Sequence, residues 1–133
     1  EQTFQPVIPD NDVEASKVKR VMLVSGRLYY DLLARRRKKD KDETTAIVRV
    51  EQLYPLPQEQ IAAELAKYPN ADVRWVQDEP ENQGPWPFMA INLVPGLDRE
   101  VTVVSRPAAA APSTGSSKVH AQENSDLLDR AFS

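Results

Sequence analysis

Cysteine is absent from this chain of 133 residues, which excludes disulfides, thiolate nucleophiles and cysteine metal sites. The absence suits a reducing compartment such as the cytoplasm, or the mitochondrial matrix in a eukaryote. Glycine is scarce, at four residues, and none of them builds a glycine-rich phosphate loop. His120 is the single histidine, so a histidine-based metal centre has no support. No apolar run approaches the roughly 20 residues that a membrane span requires. The opening, Glu1 to Asp10, lacks the basic region and apolar block of a secretory signal. Charge is not heavily one-sided either: the net value of −3 gives no case for nucleic acid or an anionic membrane as a partner. The chain starts at Glu1 rather than at methionine, and so reads as a fragment or a processed piece.

The length suits one domain with a single core. Residues 1–17 hold two prolines, several acids and little periodicity, and read as an extended arm or linker from a preceding domain. Residues 18–133 then alternate strand and helix patterns. Val18 to Val24 is a compact, β-branched run that suits a buried strand. Ser25-Gly26 ends it, and a helix follows from Arg27 to about Lys38. Its cations, Arg35 to Lys39, gather in the last turn, where the helix dipole favours them. They read first as a solvated helix end, with a polyanion site as the sharper alternative. Thr45 to Val50 is the second strand. Pro57 opens a helix that runs to about Lys67, with Ile61, Ala62, Leu65 and Ala66 as its inward face. Val73 to Gln77 is the third strand, and Pro80, Pro85 and Pro87 forbid its continuation. Trp86 to Leu93 reads as a short helix buried between layers. Val101 to Ser105 is the fourth strand. A small-residue loop from Arg106 to Ser117 leads to a last helix with Leu127, Leu128, Ala131 and Phe132 as its stripe; a disordered tail is the competing reading of this ending.

This order predicts an α/β/α fold of three layers around a mostly parallel sheet of four to five strands. Right-handed crossovers place the carboxyl ends of the parallel strands on one rim, where ligands and partners of such sheets bind. That rim should gather Ser25, Gly26 and Arg27, then Glu51 and Gln52, then the loop from Asp78 to Trp86 with Glu79, Asn82 and Gln83, and finally Arg106. No complete catalytic set is found among them. Ser25-Gly26 lacks the glycines of a nucleophile elbow. Glu79 and Glu81 could form a carboxylate pair, although neighbouring loop acids are usually solvated. Trp75 and Trp86 read as core or interface anchors, and His120 as a hydrogen-bonded structural group. The balance favours a domain that binds, packs or regulates.

The blocks Ser25-Gly26-Arg27-Leu28-Tyr29-Tyr30-Asp31-Leu32, Ala46 to Pro57, Gln77 to Trp86, and Arg106-Pro107 with Ala110-Ala111-Pro112, Gly115 and His120 carry more information. Together they closely resemble the C-terminal domain of the thiamine-dependent decarboxylase component of 2-oxoglutarate dehydrogenase, over nearly all the chain from Lys17 onward. The resemblance implies a transketolase C-terminal-like fold. It implies a parent enzyme of the tricarboxylic acid cycle that decarboxylates 2-oxoglutarate on thiamine diphosphate and passes succinyl to a lipoyl-bearing succinyltransferase component. The thiamine diphosphate and magnesium sites of such enzymes lie in two preceding domains, so this chain alone should bind neither cofactor and should be inert. Its implied role is to support a homodimer and border the active-site region.

Two positions depart from the pattern: Arg27 stands where lysine is usual, and Asp78 where glutamate is. The actinobacterial branch also binds acetyl-CoA as an allosteric activator through a Lys, a Ser, a Gln and a pair of Arg. Gln52 alone matches; Thr3, Pro6, Glu59 and Gln60 stand at the other positions. Loss of those cations and donors predicts weak or absent acetyl-CoA binding. The alternative from another class is a free-standing α/β protein-binding module using the same rim. A hydrolase built on Ser25 and His120 is a weaker third reading, because no acid is placed to complete a triad.

Overall fold

Apolar strands covered by helices on both faces assemble here into three layers. The structure is a computed structural model that describes residues 5–39, 43–107 and 117–133, with side chains from 121 onward in the last group. A five-stranded sheet has the order β1-β3-β2-β4-β5. Its strands are β1 (Val7–Ile8), β2 (Arg20–Val24), β3 (Thr45–Val50), β4 (Asp72–Pro80) and β5 (Val101–Arg106). The last four are mutually parallel, and β1 joins β3 antiparallel. The helices are α1 (Leu28–Lys39), α2 (Gln58–Leu65), α3 (Trp86–Asn92) and α4 (Ser117–Ala131).

Parallel strands covered on both faces read as continuous apolar runs, and β2 shows why. Val21 and Leu23 point to one face, where they meet Ile61 and Leu65 of α2, Met89 of α3, and Leu93 just after it. Met22 and Val24 point to the other, where Leu28 and Leu32 of α1 and Leu127, Leu128 and Ala131 of α4 wait. The single core expected from length is therefore two half-cores divided by the sheet.

Several expectations are corrected. β4 does not stop at Gln77 but continues through Asp78 and Glu79 to Pro80. β2 ends at Val24, beside Val76, so beyond that level β4 pairs with β5 alone. A register shift between Val76 and Pro80 accompanies the extension, and a proline is tolerated where one side of the strand has no neighbour. On α2 the buried set is Ile61, Glu64 and Leu65, while Ala62 and Ala66 face water. On α3 Met89 is buried, and Leu93 just after it, but Phe88 and Ile91 are exposed, Ile91 by 74%. Seven residues make two turns, and only one stripe of such a helix can meet the sheet. The basic end of α1 is not simply solvated. Arg36 is buried, and Arg35 and Lys39 both reach Asp129 of α4. The segment 5–17 supplies an edge strand that periodicity did not reveal, because two residues are too few to show a period. The loop from Ala108 to Ser116 lies outside the described residues.

Candidate functional site

The site follows from topology. From β2 the chain crosses to β3 through α1 on one face of the sheet. From β4 it crosses to β5 through α3 on the opposite face. Neighbouring strands whose connections leave in opposite directions open a crevice between their carboxyl ends. Such a crevice is present between β2 and β4. It has a volume of about 590 Å³ and is lined by Ser25 to Leu28 and Asp31 on one side and Trp75 to Glu79 on the other, with Leu53 and Pro85. Register puts Val24, Arg49, Val76 and Val104 side by side, so the residues that follow them share one rim.

Gln77 organises the far wall, and sequence reasoning took it only for a strand end. Its amide nitrogen donates to the carbonyls of Glu79 at 3.3 Å, Pro80 at 2.8 Å and Gln83 at 2.8 Å. Its Oε1 accepts from Trp75 Nε1 at 2.9 Å and from the backbone N–H of Trp86 at 2.8 Å. One buried amide thus ties the strand, the turn and the start of α3 together. The available signal was its setting: a lone uncharged polar residue between an apolar run and a proline-rich loop. Gly84 completes the turn at φ +65, and a Cβ there would meet the side chain of Glu79 at 2.9 Å.

The expected site residues divide. Ser25, Arg27 and Glu79 line the crevice, with Asp31 beside them. Arg27, Asp31 and Glu79 are exposed and form no ion pair within the described residues. Asn82 and Gln83 are exposed on the turn, and Trp86 is half-buried at the start of α3. Glu51 is half-buried and pairs with Arg49 at 3.3 Å; Arg49 lies over the Tyr29 ring, 4.5 Å from its centre. Gln52 spends its amide nitrogen on the carbonyl of Pro55 at 2.7 Å. Arg106 is committed inside the domain: its guanidinium meets Asp78 at 2.8 Å and Glu123 of α4 at 3.1 Å, and it is buried. His120 falls in α4, and its side chain lies outside the described residues.

The lining does not suit a diphosphate with its magnesium. Among the described residues Arg27 is the crevice's one cation, against Asp31, Asp78 and Glu79. Among the described residues no three His, Cys, Asp or Glu gather as metal ligands. Nor is any helix there long and apolar enough to cross a membrane.

Fold and crevice together define a three-layer α/β domain with a charged opening at its topological switch point. Comparison with known proteins goes further. The 2-oxoglutarate dehydrogenase C-terminal family matches residues 1–132, and the chain belongs to that family. It is 48% identical over 132 residues to the multifunctional 2-oxoglutarate metabolism enzyme of Mycobacterium sp. (strain JLS), covering 96% of this chain and 10% of that protein. It is 51% identical over 134 residues to the 2-oxoglutarate dehydrogenase E1/E2 component of Corynebacterium glutamicum, covering 97% of this chain and 11% of that protein. A 2-oxoglutarate dehydrogenase E1 component from Cupriavidus necator is 44% identical over 133 residues, and the match covers 97% of this chain and 14% of that protein. The chain thus spans only about a tenth to a seventh of its relatives' length.

Proposed function

We propose that this chain is the C-terminal domain of the decarboxylase component of a 2-oxoglutarate dehydrogenase. The family match over residues 1–132 carries the reading. The parent would bind thiamine diphosphate and magnesium in its preceding domains, decarboxylate 2-oxoglutarate, and pass succinyl to a lipoyl-bearing partner. This domain would bring a packing face rather than chemistry. Residues 1–17 would form the arm that leads in from the preceding domain. The crevice rim supports that role: Arg27, Asp31 and Glu79 are exposed and without ion-pair partners within the described residues, as groups awaiting a neighbour would be. The neighbours would be the preceding domains and the second subunit of a homodimer. The same reading places the protein in the cytoplasm or the mitochondrial matrix.

The test uses the full-length protein with thiamine diphosphate, magnesium and an artificial electron acceptor. It should turn over 2-oxoglutarate, and Glu79→Gln should weaken dimerisation without changing affinity for thiamine diphosphate. Absence of turnover on 2-oxoglutarate would overturn the activity. A dimer that is unaffected while cofactor affinity falls would overturn the role of the rim. Calorimetric titration with acetyl-CoA should show weak binding or none, because Gln52 already serves its own loop and Glu59 and Gln60 are not cations. Micromolar affinity would contradict that.

A further inference from the structure

The outer edge of β3 is closed by an unusual combination. Edge strands leave N–H and C=O groups open, and proteins cover them. The residues of β3 whose backbone groups face outward are Thr45, Ile47 and Arg49, followed by Glu51. The N–H of Glu51 donates to the carbonyl of Pro6 at 2.7 Å, and Ile8 pairs with Arg49. Beyond these two positions no strand pairs with this edge among the described residues. Instead the carboxylate of Asp10 accepts from the N–H of Ile47 at 2.9 Å, and Arg36 of α1 donates to the carbonyl of Thr45 at 3.1 Å. The two side chains also bond to each other. An ion pair thus takes the place of a strand.

This pair is nearly dry, with 5% of the Asp10 side chain and 10% of Arg36 exposed. The rest of the segment is held lightly. No residue from 5 to 17 is buried as a whole, and only Val7 and Val13 pack against the core. Attachment is therefore concentrated in one latch.

We propose that residues 5–17 are a detachable strap, locked on the edge of β3 by Asp10 and Arg36, and that its docking fixes how this domain sits on the polypeptide that precedes it. The second half rests on the reading that this is the C-terminal part of a longer enzyme.

The experiment is made on the full-length protein. Asp10→Ala leaves buried Arg36 with only the exposed Asp12 at 4.0 Å, and Arg36→Met leaves the buried Asp10 carboxylate without a cation; either can unfold the domain, so the double variant, which removes both charges, is the deciding one. Hydrogen exchange followed by mass spectrometry should show peptides spanning residues 45–51 exchanging at least about a hundredfold faster in the double variant, while peptides of β2 stay protected. Unchanged protection at 45–51 would overturn the latch. Equal loss of protection in β2 would also overturn it, because the strap would then be part of the core. Small-angle scattering should show a larger radius of gyration for the double variant at the same oligomeric state. An unchanged profile with a released strap would overturn the second half. Neither measurement uses catalysis, so failure of the enzyme to act on 2-oxoglutarate would count against the proposed function alone.

Discussion

Two of the arginine–aspartate pairs that tie distant stretches of this domain together, Arg36–Asp10 and Arg106–Asp78, differ in what water can reach. Arg36 and Asp10 are 26 residues apart, and Arg106 and Asp78 are 28 apart. Both arginine side chains are 10% exposed. The contrast lies in the acids: the Asp10 side chain is 5% exposed and that of Asp78 is 52% exposed. A buried pair is a poor source of net stability, yet losing one member is costly because the survivor stays dry. A half-exposed carboxylate is screened and can return to water. Arg106 also has Glu123 as a second acid. The strap pair should therefore be critical, and the rim pair dispensable.

The largest effect should come from Arg36→Met. It strands the Asp10 carboxylate against Ile47 N–H and removes the donor to Thr45, at a cost of about 3–5 kcal/mol. Thermal unfolding of the full-length protein, followed for this domain, would read it. A loss below about 1 kcal/mol would mean that Asp10 rehydrates by lifting the strap, and the contrast with the rim would collapse.

These pairs also show what the amino-acid sequence could and could not reveal. Helix and strand order was legible because β2, from Val21 to Val24, and β3, from Ala46 to Val48, carry apolar runs of the kind a covered parallel sheet uses. The gathering of Ser25, Arg27 and Glu79 was legible too, since crossover handedness dictates which strand ends share a rim. Ion-pair partners were not. Nothing local links Arg36 to Asp10, because the match arises only when β1 folds back along β3. Arg106 looked like a free rim group for the same reason; its acids come from β4 and α4. Gln77 was missed because its value lies in five bonds to groups that the turn brings within reach.

A smaller effect is expected of Asp78→Asn. The amide keeps the shape and an acceptor, and Arg106 retains Glu123. The loss should be about 1 kcal/mol or less, and it should shrink further in high salt. A salt titration of unfolding for wild type and variant checks both points. A loss of the size expected for Arg36→Met would show that the rim cation depends on Asp78 more than exposure suggests, and exposure would cease to explain the difference between the pairs.

The smallest effect at neutral pH belongs to Tyr68→Phe, and it sharpens the comparison from the alkaline side. Burial raises the Tyr68 phenol above its ordinary value of 10.0, and the carboxylates of Glu64 and then Asp10 add to the rise. Below pH 10 the phenol is neutral in both the folded and the unfolded chain, so its titration contributes no slope there. Above pH 10 the unfolded chain loses the proton first, and each further step in pH favours unfolding until the folded pKa is passed. Wild type should therefore lose stability above pH 10 more steeply than Tyr68→Phe, measured as unfolding midpoint against pH. Removing Asp10 together with Arg36 should reduce that slope, since one carboxylate facing the phenol is gone. Asp78→Asn should leave the slope alone, because Asp78 is not among the groups that raise Tyr68. Equal slopes in wild type and Tyr68→Phe would mean that the phenol ionises freely in the folded domain, and that the strap does not keep water from this corner.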